Sequence, residues 1–296
     1  MTESADVAVP TVAALIGGLD GLDYLADEGL ATALFCATRL AQPQLLEGEA
    51  GVGKTTAAVA LAALLDTPLL RLQCYEGIDA AEALYEWNYP RQLLAIRSAE
   101  ASGERLAAQD LFTPEFLLPR PLLHAVQHPG PRPAVLLVDE VDRADDEFEA
   151  FLFEVLAESA VTIPELGTIR AAVPPVVLLT SNRTRDLSDA LKRRCIYHWI
   201  EHPPVARVAE IVRRRVPASA TPLPVQIAVA IARLRELELQ KPPGVAEAIG
   251  WARACHLLGL PALDESAVSA TLGSVLKYRE DLELVRGRSD WLRAAG

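Results

Sequence analysis

Eight residues, GEAGVGKT from Gly48 to Thr55, combine what a phosphate group needs: glycines that let successive backbone N–H groups turn inward, a lysine and a hydroxyl. The GxxxxGK[ST] spacing is met by Gly48, Gly53, Lys54 and Thr55, and the cradle comprises Gly48, Glu49, Ala50, Gly51, Val52, Gly53, Lys54, Thr55 and Thr56. In such a loop Lys54 reaches the β and γ phosphates of ATP and the Thr55 hydroxyl ligates Mg²⁺, so ATP and Mg²⁺ are the expected cofactors. A chance match is disfavoured because lysine is scarce, at Lys54, Lys192, Lys241 and Lys277 alone. An apolar strand before the stretch and an Ala/Leu helix after it are also the context that the motif requires.

Three further stretches can complete such chemistry. VLLVDE (135–140) is an apolar run ending in two carboxylates, which places Asp139 to hold Mg²⁺ and Glu140 to polarise an attacking water as general base. VVLLTSN (176–182) is another apolar run ending in a polar residue. Asn182 there either orients the water or serves as a turn former or helix cap. LSDALKRR ends in Arg193 and Arg194, which either stabilise charge growing on a γ-phosphate or complement the C-terminal end of their helix.

These residues need a scaffold with several strand ends side by side. Short apolar runs alternate with longer amphipathic ones, the rhythm of a parallel sheet with helices on both faces and hence an α/β class. Strands are expected at Gln44–Glu47, Leu69–Gln73, Ala134–Asp139, Val176–Ser181 and Ile196–Ile200. Helices are expected at Lys54–Leu65, Arg91–Gln109, Asp146–Glu158 and Ser188–Arg194, and VTIPELGTIRAAV (161–173) reads as a hairpin turning at Glu165–Gly167. Beyond Pro203 and Pro204 the pattern becomes helical up to Trp291, with PASATPLP (217–224) as a linker, which suggests a core over 1–205 and a smaller all-α domain over 206–296.

Charge and composition narrow the function. Residues 1–182 carry 10 basic and 27 acidic side chains, a net of −17, whereas 183–215 carry 9 and 4, a net of +5. So acidic a surface repels a phosphate backbone and argues against nucleic acid as the main partner. Cys36, Cys74, Cys195 and Cys255 lie far apart without a metal-ligand spacing, so buried free thiols are expected rather than a zinc site or disulfides. The start, MTESADVAVP, lacks a basic stretch followed by an apolar one, and no apolar run reaches membrane-spanning length, so the expectation is a cytoplasmic protein.

The order of a phosphate loop, VLLVDE, a hairpin, TSN, a helix ending in two arginines and a helical domain resembles the AAA+ ATPases. LLEGEAGVGKT, LFTPEFLLPRPLL, VLLVDEVDRADDEFEAFLFEVLAE and LLTSNRTRDLSDALKRRC resemble the MoxR group within them. YEGIDAAEALYEWNYPRQLL, KPPGVAEAIGWARA and LKYREDLELV are similar to the CoxD-type branch, accessory proteins of carbon monoxide dehydrogenase maturation. The similarity runs from Ile16 to Val285.

The resemblance implies a P-loop NTPase core with an insert in its second helix, a pre-sensor hairpin and an all-α lid. It implies a ring, usually a hexamer, in which Arg194, directly before Cys195, reaches the neighbour's nucleotide with Arg193 in support, the basic 183–215 segment facing an acidic neighbour. It implies a partner with a von Willebrand A domain, membrane association through partners, and a metalloenzyme client, here a molybdenum hydroxylase awaiting sulfuration and copper. It also places Tyr24, in the stretch up to Ala26, beside the adenine. One departure stands out: Val245 occupies the position of the family's sensor arginine, leaving Lys241 or Arg253 as substitutes or a different lid coupling.

Three functions compete on the sequence. The leading one is an ATP-driven protein remodeller. The second is a nucleic-acid helicase or loader, against which the hairpin offers one arginine and no aromatic residue for stacking. The third is a nucleotide switch with little turnover, against which stands Glu140. The insert around Trp87 and Tyr89 is read either as a docking surface or as packing against its own domain.

Overall fold

The structure, a computed structural model, describes residues 9–103, 105–217 and 222–288. The first eight residues, half of the expected linker and the end of the expected helical run at Trp291 lie outside the described residues. The elements in chain order are α1 (Val12–Asp20), α2 (Glu28–Leu40), β1 (Gln44–Glu47), α3 (Lys54–Leu65), β2 (Leu69–Gln73), α4 (Ala80–Leu84), β3 (Tyr85–Trp87) and α5 (Tyr89–Ser102). They continue with β4 (Leu117–Pro119), α6 (Pro121–Val126), β5 (Val135–Asp139), α7 (Asp146–Glu158), β6 (Ala160–Ile163), β7 (Gly167–Arg170), β8 (Val176–Ser181), α8 (Asp189–Arg194) and β9 (Ile196–Trp199). The last five are α9 (Val205–Arg215), α10 (Leu223–Arg235), α11 (Val245–Leu257), α12 (Glu265–Thr271) and α13 (Arg279–Arg286).

Five strands form a sheet of order β2-β5-β8-β1-β9, in which β2–β5, β5–β8 and β1–β8 pair in parallel. β1, β5 and β8 are buried along their whole length, as a sheet covered on both faces requires, and each of their large apolar residues contributes about 1.5–3 kcal/mol by leaving water. The register sets Glu47 beside Ser181 and Val138 beside Leu179, so the carboxyl ends of β1, β8 and β5 finish on one edge. The carboxyl ends of strands are the usual ligand-binding edge of open α/β sheets.

The chain divides into two compact units. One comprises, within the described residues, 9–15, Glu28–Glu47 and Ala58–His198. Its core joins the sheet to α4, α6 and α7 through Leu45, Leu123, Leu136, Phe148 and Leu179. The other comprises Ile16–Asp27, Gly48–Ala57 and the described residues from Trp199 onward. Its core gathers α9 to α13 around Trp251, whose indole N–H donates to Thr271 Oγ1 at 2.7 Å.

Local signals explain most boundaries. Asp145 caps α7 by accepting from the Phe148 N–H, and Ser188 caps α8 by accepting from the Leu191 N–H. The hairpin forms as β6 and β7, pairing Val161 with Ile169. The helix expected over Arg91–Gln109 is shorter and earlier: Asn88 caps α5, and Gly103, at φ +76°, closes it before Gln109. Residues 108–111 form a separate 3₁₀ turn, and a small antiparallel pair, β3–β4, brackets the insert. Trp87 is buried there and packs edge-on against Phe112, whereas Tyr89 is exposed. Cys74, Cys195 and Cys255 are buried free thiols and Cys36 is half-buried.

Candidate functional site

At the ends of β5 and β1 four carboxylates are held by named partners. Asp139 is almost wholly buried. Its Oδ1 accepts from Thr180 Oγ1 at 2.5 Å, and its Oδ2 accepts from Arg71 Nε at 3.0 Å and Nη2 at 2.6 Å. Glu140, at φ +56°, leaves the strand in the left-handed conformation, its N–H donating to Thr180 Oγ1 at 2.9 Å. That turn is costly for a side chain with a Cβ and sends the carboxylate off the sheet edge, a strain of the kind concentrated at functional sites. Its Oε2 accepts from Gln73 Nε2 at 3.2 Å and pairs with Arg143 Nε at 3.1 Å, and its Oε1 lies 3.5 Å from Asn182 Nδ2. Glu140 and Asn182, read from different stretches of sequence, therefore meet.

Two carboxylates assigned no role on the sequence order the neighbouring loop. Asp142 Oδ2 accepts from the N–H groups of Asn182 (3.2 Å) and Thr184 (2.8 Å) and from Thr184 Oγ1 (2.7 Å), fixing Asn182 beside Glu140. Glu47, buried at the end of β1, accepts from Tyr197 Oη at 3.0 Å and lies 3.9 Å from Arg183. The crowding of negative charge is felt by Cys74: burial first, then Asp139, Asp142 and Glu140, push its thiol pKa up to about 12.

The phosphate loop belongs to the second unit. Lys54 is buried, and its Nζ donates to the carbonyls of Gly48 (2.7 Å) and Glu49 (2.8 Å), so the ammonium lies inside the loop's curl. A Cβ on Gly48 would fall 2.6 Å from the Ile200 carbonyl oxygen, and one on Gly244 would fall 2.9 Å from Gly51 Cα. Both positions need glycine because another backbone runs against them. The start of α11 is thereby seated on the loop. The Val245 N–H donates to the Gly51 carbonyl at 3.1 Å, and Glu247 accepts from the Gly244 N–H at 2.8 Å. Tyr24 lies over Gly53, its hydroxyl 3.4 Å from the Gly53 carbonyl, and burial, then Asp27, holds its pKa well above the ordinary tyrosine value. Thr55 and Thr56 lie in the first turn of α3.

The position expected to carry the sensor arginine, Val245, is buried, and Lys241 and Arg253 are exposed. A cation that the sequence left unnamed is Arg235, at the end of α10. Its Nε donates to the Pro243 carbonyl at 2.7 Å, Nη2 is buried without a hydrogen-bond partner, and the charges it feels are those of Glu49 and Glu247. Its signal was faint because it precedes the KPPGVAE stretch by six residues. Arg193 and Arg194 are exposed at the end of α8, edging a surface recess with Leu40, Pro43 and Leu156. Much of the remaining basic segment is satisfied within the chain: Arg185 pairs with Glu149, Arg214 with Asp20 and Glu210, and Lys192 with Asp186.

A parallel sheet with a phosphate loop after β1, paired acids after β5 and a polar residue after β8 defines a P-loop ATPase core of the AAA type. The chain belongs to the AAA domain family, dynein-related subfamily, whose model matches residues 43–195. Among solved structures it is similar to the Thermotoga maritima RuvB Holliday junction branch migration motor, with 17% identity and a TM-score of 0.48 over 82% of this chain; it spans 66% of that chain's length. A point mutant of the Thermotoga RuvB gives 17% identity and a TM-score of 0.51 over 96% of this chain and 83% of that one. A candidate ATPase from Cytophaga hutchinsonii gives 15% and 0.45 over 96% and 92%. Likeness at these identities speaks for the fold alone. No curated protein matches the chain in sequence. No helix among the described residues is long and apolar enough to cross a membrane.

Proposed function

We propose that this chain is a Mg²⁺-dependent ATP hydrolase of the MoxR group, nearest its CoxD-type branch, that remodels a protein client. The observation that carries the hydrolase reading is the carboxylate of Glu140, turned off the sheet edge beside buried Asp139 and met by the amide of Asn182. In this reading the Gly48–Thr56 backbone and Lys54 grip the triphosphate, and Glu140 takes the proton of a water that Asn182 helps to orient. The Thr55 hydroxyl and the Asp139 carboxylate are hard oxygen donors suited to Mg²⁺, which supplies neutralisation of phosphate charge when bound. Tyr24 covers the base, and Arg194, with Arg193, serves the nucleotide of a neighbouring copy in a ring, taken as a hexamer.

The client in this reading is a molybdenum hydroxylase such as carbon monoxide dehydrogenase, with a von Willebrand A domain protein as partner and no nucleic acid. Support comes from the stretches that resemble the CoxD-type proteins and from the family of residues 43–195. A nucleic-acid motor is disfavoured at the hairpin, where Arg170 is paired with Glu158 and no aromatic residue is present. The test is Glu140→Gln. Phosphate release is expected to fall by roughly 10²–10⁴-fold with ATP still bound. Equal slow release by both forms would favour a switch, and salt-sensitive submicromolar DNA binding would favour the motor.

A further inference from the structure

We infer that Arg71 is a built-in stand-in for the divalent cation at Asp139, occupying the oxygen that Mg²⁺ must take and setting the cation concentration at which the site loads. The inference rests on the hydrolase reading above and concerns the same carboxylate.

The two oxygens of Asp139 face different partners. Oδ1 is committed to Thr180, whose hydroxyl is fully buried and also accepts from the Glu140 N–H, so this oxygen is fixed to the sheet. Oδ2 receives both Nε and Nη2 of Arg71, a two-pronged charge-assisted contact. A carboxylate this buried is costly to leave uncompensated, and its charge acts together with those of Asp142 and Glu140 on Cys74. Arg71 is half exposed, with 52% of its side chain accessible, so its guanidinium can withdraw into water at little cost. A second partner also waits for it: Nη2 donates to Gln73 Oε1 at 2.6 Å. Gln73 in turn bonds Glu140, so an arginine released from Asp139 can remain on Gln73 and leave Glu140 oriented.

Competition for Oδ2 has a measurable consequence. Nucleotide binding by the full chain is followed with a fluorescent, non-hydrolysable ATP analogue while Mn²⁺ is titrated, for wild type, Arg71→Met and Arg71→Lys. The midpoint Mn²⁺ concentration is expected to drop by about tenfold or more in Arg71→Met, the scale of one charge-assisted bond no longer displaced, and to fall between the two in Arg71→Lys. An unchanged or raised midpoint in Arg71→Met, with a wild-type far-ultraviolet circular dichroism spectrum, overturns the stand-in role and leaves the hydrolase reading intact. Should Arg71→Met fail to fold, Arg71→Lys decides by the same criterion. Wild type that captures no nucleotide at any Mn²⁺ concentration overturns both.

Discussion

In the loop from Gly48 to Thr55 the contacts that fix the shape are made by main chain: Lys54 closes on two carbonyls, Gly51 accepts from the Val245 N–H, and Gly48 abuts the Ile200 carbonyl. At the end of β5 they run between side chains, with Asp139 held by Thr180 and Arg71, and Glu140 by Gln73, Arg143 and Asn182. Backbone recognition depends on where glycine is allowed, so it leaves a fixed spacing in the sequence. Side-chain recognition depends on which strands become neighbours, and β2 reaches β5 only after the fold is known. The difference teaches that the loop is written locally and the strand-end cluster in the topology.

Four substitutions or conditions break or sharpen that contrast. Lys54→Ala removes the ammonium that grips two carbonyls of the loop, and ATP affinity measured by calorimetry is expected to fall about 100-fold. Gly244→Val drives a side chain into Gly51, and denaturant unfolding should show a loss of about 3 kcal/mol, the upper range for overpacking. Thr180→Val deprives both Asp139 Oδ1 and the Glu140 N–H of a partner and is expected to cost about 2 kcal/mol in the same assay, with ATP affinity changed less than in Lys54→Ala.

The smallest effect is a pH slope. Cys74 is held protonated in the fold, with its pKa near 12 against an ordinary thiol value when unfolded, so its contribution is complete below that ordinary value and is lost as pH rises toward 12. Thermal melts between pH 8 and 10 should therefore show stability falling by roughly 1–2 kcal/mol from this group, and Cys74→Ala should flatten the curve.

The sheet was legible because its strands are apolar runs bounded by polar ends, and β1, β2 and β8 fall on the residues that their pattern indicates. The hairpin was equally plain from ELG at its turn. The end of α5 was misplaced because alanines and polar residues continue past Gly103, where a left-handed turn rather than a change of composition stops the helix. Glu140 and Asn182 could be named from strand ends, and their meeting follows from β5 pairing with β8. Arg71 and Arg235 could not be named, since an arginine in a strand or at a helix end is unremarkable until its buried partner, or a buried nitrogen without one, is seen. The basic segment misled in a different way: net charge counts residues, and several of these are already neutralised by carboxylates far away in sequence.

Glu149 gives the first unit a mechanical property. It is buried on α7, one oxygen meeting Arg185 and the other accepting from the N–H of Ser188, the residue that caps α8. α7 runs at its far end straight into the β6–β7 hairpin, and α8 carries Arg193 and Arg194. A charge held this way cannot let go of either neighbour without standing unpaired in a dry interior. The helix that leads into the hairpin and the helix that carries the two arginines are thus tied to each other at one buried carboxylate.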